Sequence, residues 1–385
     1  MTFSIHRALS KRIFVIVSLL FPFSSVLCQN KFRLRGAFYN DSIYHNPLFV
    51  NNPDIADICV FYGNDGYFYM FGTGFFYKQY LYKSKNMVNW ECTLINPIPE
   101  FVQQQIKEMK QPLKVQYPRF QAFDQMWAPQ IVRVGSKYNL YTSLAAYGGI
   151  ICLQSDDPIG PYIFPHTDKK GNPEKLIDLD DVGMEFDVID PCFARDFTDG
   201  KNYLFFGSSF GIYRIELTHD GTSVRKNAKF VHVAGSRDRG KHGVDYEGTM
   251  LYWHGGYWYM ILSPRRDYRL LCWRSKTLTG EFVDKNGNTP MSDEYGWEIL
   301  RPQGTEYVTP EGFYLVNAGH SGEIFMDKSN HYYIFFHAAV SKPNSQTLYR
   351  HRAACMAEIN WDEDGWPVAV TKDRMVSYEN RRPDM

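Results

Sequence analysis

The chain lacks an excess of either charge: its 42 Lys and Arg balance 42 Asp and Glu. That leaves no basic footprint for nucleic acid and no polybasic patch for a membrane surface. It also lacks clustered cysteines. The 7 Cys contain no C-x-x-C pair, which excludes a zinc ribbon and a small disulfide scaffold. Helical periodicity is scarce, carried only by residues 99–115 with F-V-Q-Q-Q-I-K-E-M-K, read as an insertion between repeated units. The single long apolar run, Ile13 to Leu27, is too short and too interrupted by Ser and Pro22 to span a bilayer.

That run follows His6, Arg7, Lys11 and Arg12, which is the layout of a signal peptide over residues 1–28. Export to the periplasm or the medium follows, with no transmembrane segment after signal removal. An alternative is an outer-membrane lipoprotein acylated on Cys28. The other six cysteines, Cys59, Cys92, Cys152, Cys192, Cys272 and Cys355, are widely spaced and read as buried fillers.

What the chain has in abundance is aromatic residues, 16% of the total, in short runs between turn signals. Such runs are strand formers. The stretch Asp245 to Ser263, D-Y-E-G-T-M-L-Y-W-H-G-G-Y-W-Y-M-I-L-S, is a hairpin with a Gly255-Gly256 turn. The same unit recurs around Phe68, Tyr138, Tyr203, Trp258 and Tyr332, at intervals of 70, 65, 55 and 74 residues. A four-stranded blade needs about 40 to 50 residues, so each unit makes one blade plus loops. The fold expected is all-β, a single five-bladed β-propeller over residues 29–385.

Stepping 11 to 13 residues upstream of each anchor lands on Asp57, Trp127, Asp190, Glu247 and His320. Equivalent places in a repeat become equivalent places in the fold, so three carboxylates and one histidine should meet at one axis. Two carboxylates facing one cleft are the minimal apparatus for glycoside hydrolysis, one protonated and one ionised. A third raises the pKa of the acid. Asp57, Asp190 and Glu247 supply the set, with Asp54, Glu185, Asp187 and Asp245 as competitors by position. Cys59 and Cys192 each lie two residues beyond an acid and read as packing beside it.

These residues resemble glycoside hydrolase family 43, five-bladed propeller enzymes. Ala56-Asp57 with Gly72-Thr73 resembles the first family signature and Trp127-Ala128-Pro129 the second. Ile189-Asp190-Pro191 with Asp199-Gly200-Lys201 is similar to the third and Glu247-Gly248 to the fourth. Gly319-His320, Phe336-His337-Ala338 and the segment from Trp361 to Pro367 look like the closing segments of arabinan-cleaving members. The resemblance implies an inverting mechanism with Asp57 as general base, Asp190 as pKa modulator and Glu247 as general acid. It also implies a calcium ion near His320. Ile58 and Thr249 stand where the family usually has proline.

The function expected is therefore an exported hydrolase of plant cell-wall oligosaccharide or polysaccharide, cleaving α-L-arabinofuranosyl linkages with Trp127 stacked on a sugar ring. A β-xylosidase or exo-galactanase on the same scaffold, and a non-catalytic glycan-binding propeller, are the alternatives. No organic cofactor is implied.

Overall fold

A computed structural model of the chain describes residues 42–49, 55–109, 125–145, 148–182, 187–238, 240–303, 308–310, 312–341 and 352–385. The expected signal peptide with Cys28 lies outside these residues, as do Asp54, Glu185 and the last part of the expected helical stretch.

The chain folds into five antiparallel blades in sequence order, each built outward from an axial strand. The first blade comprises Ala56–Tyr62, Phe68–Phe75, Tyr82–Ser84 and Glu91–Cys92; the second comprises Gln125–Val134, Lys137–Leu144 and Ile150–Ser155. Cys192–Arg195, Asn202–Ser208, Gly211–Leu217 and Val231–Ala234 make the third, and Tyr246–His254, Tyr257–Pro264, Leu270–Ser275 and Trp297–Leu300 the fourth. The fifth consists of Tyr314–Met326, Tyr332–Ser341, Arg352–Trp361 and Pro367–Ala369. Blades one and two are also joined near the axis, where Gly74 pairs with Met126.

The strands read as unbroken apolar runs because both faces of each blade are covered. In the second strand of the fourth blade, Trp258, Met260 and Leu262 pack towards the third blade. The intervening Tyr259 and Ile261 pack towards the fifth. The five largest apolar clusters each lie between adjacent blades. This is where the aromatic surplus goes: Trp90, Trp273 and Trp366 are fully buried, each contributing about 1.5–3 kcal/mol or more by leaving water. The Gly255-Gly256 turn has φ of 55° and 84° and joins His254 to its partner Tyr257, the left-handed pair a tight hairpin requires.

The expected helix is shorter than its periodicity, Glu100–Lys107, and buries Val102 and Ile106 in the core between blades one and two. A second short helix, Leu179–Val182, carried no signal in the sequence. No helix among the described residues is long and apolar enough to cross a membrane.

The ring is closed by chain ends. Ile43–His45 pairs antiparallel with Glu379–Arg381, and the segment after it runs beside the fifth blade, with Leu48 N donating to Ala354 O. Asn46, fully buried, acts there as a stand-in strand. Its Nδ2 donates to Met356 O at 2.8 Å and Ser377 O at 2.9 Å, while its Oδ1 accepts from Met356 N at 3.0 Å. Replacing Asn46 with Ala should destabilise the fold by about 2–4 kcal/mol, because buried backbone groups lose partners at about 1–3 kcal/mol each. Urea unfolding of the two proteins measures this, and a loss under about 0.5 kcal/mol, the range of an ordinary surface change, would contradict the closure described.

Candidate active site

Each blade has a left-handed residue at an equivalent bend on or just before its axial strand, and the axial strand of the fifth carries a further one at Asn317 (φ 55°). Asp57 (φ 47°), Ala128 (39°), Asp190 (54°), Gly248 (65°) and His320 (47°) occupy equivalent bends. Register breaks mark them at Ala56/Cys59, Trp127/Gln130 and Glu247/Met250. For four non-glycine residues this conformation is costly and persists only where the surroundings enforce it. The enforcement is visible in the backbone N–H groups. That of Ala128 donates to Thr73 Oγ1 (2.8 Å), that of Gly248 to Asp190 Oδ2 (3.1 Å), that of His320 to Ser263 Oγ (3.0 Å) and that of Asp57 to His337 Nδ1 (3.0 Å). Each acceptor belongs to the preceding blade, so four of the five blade junctions are tied at the axis.

This geometry corrects the register read from the sequence. Asp57, Asp190 and His320 occupy the bend itself, whereas Trp127 and Glu247 stand one residue before it. Asp190 also precedes its strand, which begins at Cys192. Glu247 still faces the axis because Gly248 follows it. A Cβ on Gly248 would lie 2.7 Å from the His320 ring, and its φ is positive as well, so glycine alone lets the strand approach that closely.

Asp57, Asp190, Glu247 and His320 converge. His320 Nδ1 is 3.3 Å from Asp57 Oδ1; its Nε2 is 3.2 Å from Glu247 Oε1 and 3.8 Å from Asp190 Oδ2. All four side chains are buried at or near 10% exposure or less. Burial works against a charged His320, but the three carboxylates outweigh it and raise the imidazole to about 10. Burial alone would push Asp57 up. Facing His320, with His337 and Arg352 beside it, its carboxyl instead falls well below the ordinary range.

Burial likewise lifts Asp190, with the negative charges of Glu247 and Asp57 added and His320 opposing, to about 7. Glu247 moves the other way. Burial raises it, but contact with His320, Arg265 Nε at 2.8 Å and Ser208 Oγ at 3.0 Å hold it below its usual value.

These groups line a cavity of about 560 Å³ that also takes in Trp127, Tyr80, Arg265 and Arg352. Trp127 is half-buried, its Nε1 donating to Gln125 Oε1 at 3.1 Å. Asp187 is spent on the backbone N–H of Ser209, and Asp245 is absent from the cavity lining. Cys59 and Cys192 are buried and pack beside the axis, Cys59 Sγ accepting from Ile131 N and Cys192 Sγ from Gln130 Nε2.

Arg265, Arg352, Ser208 and Ser263 were not singled out in the sequence, and Thr73 and His337 entered only as members of motifs, with no role. A signal existed for some of them. Thr73, Ser143 and Ser263 pair across the hairpin with Ala56, Trp127 and Glu247, and His337 with Gly319, so carrying the repeat one strand further reaches them.

As a cation site, Asp190, Glu247 and His320 each offer one ligand atom within 4.8 Å of the others. Two oxygens and one nitrogen suit a hard cation that completes its shell with water. Ser321 Oγ and Thr249 Oγ1, buried without a protein partner, line a smaller cavity behind the same histidine.

The sequence model described as Glycosyl hydrolases family 43 matches residues 44–367. The chain belongs to this family. A probable arabinan endo-1,5-alpha-L-arabinosidase A of Aspergillus clavatus is 29% identical over 200 residues, 47% of this chain and 58% of that protein. An extracellular endo-alpha-(1->5)-L-arabinanase 1 of Bacillus subtilis is 28% identical over 200 residues, 50% and 58% of the two chains. The matched region thus spans 58% of the length of each of these relatives.

Among solved structures, the Cellvibrio cellulosa alpha-L-arabinanase complexed with arabinohexaose aligns with a TM-score of 0.60 at 20% identity, covering 83% of this chain and 96% of that one. An endo-1,5-alpha-L-arabinanase from Thermotoga petrophila RKU-1 aligns with a TM-score of 0.62 at 21% identity, over 83% and 74%. These likenesses carry the family 43 fold, the five-bladed propeller.

The His320 charge makes stability depend on pH. Above about 6.5 the unfolded chain has lost the imidazole proton that the folded state keeps to about 10, so the folded state binds more protons and stability falls as pH rises through that window. In chelator-treated protein, urea unfolding between pH 7 and 10 should show this fall in the wild type and a flatter profile in His320→Gln. Parallel profiles would contradict an imidazolium at the axis.

Proposed function

We propose that this chain is a glycoside hydrolase that cleaves α-L-arabinofuranosyl linkages in arabinan-type plant polysaccharide by single displacement. The observation that carries the reading is the meeting of Asp57, Asp190 and Glu247, from three different blades, around one histidine in an open cavity. The arabinanase names of the relatives support the substrate class, and the extracellular one fits export.

Asp57, held ionised, is the general base. It takes a proton from a water whose oxygen attacks the anomeric carbon as the bond to the departing oxygen breaks. Glu247 is the general acid that protonates that oxygen. Asp57 and Glu247 lie against opposite nitrogens of the His320 ring, a separation that favours the wider spacing, ~6.5–9.5 Å, of inverting enzymes. In the resting site Glu247 is held ionised by Arg265 and Ser208. To act as the acid Glu247 must first take up a proton, on the side where its Oε1 meets His320 Nε2 at 3.2 Å. Asp190 adds negative charge beside that contact and favours proton uptake by Glu247. Trp127 offers an apolar ring face to the sugar.

A calcium ion held by Asp190, Glu247 and a His320 that has given up its Nε2 proton would supply positive charge in place of the imidazolium. Millimolar calcium should raise the melting temperature of chelator-stripped wild type, by up to about 2.7 kcal/mol of added stability at a hundredfold excess over Kd. His320→Gln should not respond, and an unresponsive wild type would remove the ion.

Glu247→Gln should lose about 10²- to 10⁴-fold in kcat on linear arabinan oligosaccharides and much less on activated aryl arabinofuranosides, whose leaving group needs no proton. Assays of the purified protein on aryl arabinofuranosides, aryl xylosides and linear arabinan test the substrate. Wild-type rates for Glu247→Gln on the oligosaccharide would remove it from the mechanism.

A further inference from the structure

We infer that Thr73 is the positioning residue of the catalytic base, one hydroxyl that orients Asp57 and at the same time anchors the neighbouring blade. The inference rests on the reading of Asp57 as base. Thr73 stands near the end of the second strand of the first blade, opposite Ala56. Its Oγ1 is 2.6 Å from Asp57 Oδ2 and 2.8 Å from the backbone N of Ala128.

A hydroxyl has one proton, and a backbone N–H can only donate. Thr73 therefore accepts from Ala128 and must spend its single proton on the Asp57 carboxylate, which fixes the direction of the chain of bonds from the second blade to the base. The other oxygen, Oδ1, faces His320 Nδ1 at 3.3 Å, and Arg352 Nη1 lies 3.4 Å from both oxygens. With one oxygen on Thr73, the other on His320 and the guanidinium astride both, the carboxylate is restrained from turning about its last bond.

The related positions show what is particular to Thr73. Ser263 and His337 also accept the strained N–H of the next blade. His337 Nδ1 also lies 3.3 Å from Asp57 Oδ1, but a nitrogen that accepts the N–H has no proton to give there, whereas Thr73 passes its proton on to the carboxylate. Its methyl group and hydroxyl are separable by substitution: Thr73→Val keeps the shape and removes the proton, and Thr73→Ser keeps the proton and removes the methyl.

The experiment measures kcat and KM of Thr73→Val, Thr73→Ser and Asp57→Asn on an activated aryl α-L-arabinofuranoside, with and without sodium azide. Each protein is assayed well below its own melting temperature. Azide needs no deprotonation. It forms the bond to the anomeric carbon while the aryloxide leaves with the bonding pair, giving the glycosyl azide, so it bypasses the base.

The expected result is a fall in kcat of about 10- to 100-fold for Thr73→Val, the cost of a misplaced reacting group, with KM within about threefold. Azide recovers the rate in Thr73→Val and Asp57→Asn, and Thr73→Ser stays within about threefold of wild type. A purely structural link would lower the melting temperature without this azide response. The inference is overturned if Thr73→Val keeps its kcat, if its loss does not respond to azide, or if Thr73→Ser falls equally far. Asp57→Asn separates the two claims. Impaired and azide-responsive Asp57→Asn beside unimpaired Thr73→Val overturns only the role of Thr73, whereas unimpaired Asp57→Asn removes the base assignment and this inference with it.

Discussion

Three buried carboxylates cannot sit around one axis unless something opposes their charge, and His320 is that something. Its two ring nitrogens face acids from the first, third and fourth blades, and their combined field holds the proton on the imidazole despite complete burial. The arrangement is reciprocal, as coupled charges in a low dielectric must be. Remove the cation and the acids repel; remove an acid and the buried cation loses its partner.

The scaffold that brings these groups together has its own repeated device. A residue in the left-handed region bends the chain on or just before each axial strand, and in four of five junctions its N–H is taken by the blade before it. Local strain is thus balanced by contacts between blades, and the same contacts aim the side chains. Apolar packing between blades sets how close the strands come, but it has no directional preference. The hydrogen bonds at the axis supply the direction.

Much of this was legible in the residues. Alternating aromatic runs, the Gly255-Gly256 turn and the long loose period specify hairpins and five units, because a buried strand and a left-handed turn each demand particular side chains. The convergence of Asp57, Asp190, Glu247 and His320 followed from repeat position alone. The exact register did not. The bend at Ala128 falls on an ordinary alanine, and Glu247 sits one residue off the bend that Asp57 and Asp190 occupy. A repeat counted in whole residues cannot resolve a bulge. Arg265 and Arg352 were equally silent, since a lone arginine after a strand has the same appearance whether it meets solvent or an acid 18 or 295 residues away. The helix after the first blade was overextended because its periodicity continues beyond Lys107.

The closure of the ring has a consequence for how the protein comes into being. Asp57 lies near the start of the chain, yet its partners His320, His337 and Arg352 arrive only with the last blade, which is also where Ile43–His45 finds Glu379–Arg381. A polypeptide still emerging from the ribosome therefore carries its first acid ionised in water, before His320 and Arg352, which oppose its charge once it is buried, have arrived. The cluster is complete only when the final segment is delivered, whereas the contacts that join Asp190 to Gly248 and Glu247 to Ser208 and Arg265 lie within the third and fourth blades and need none of it.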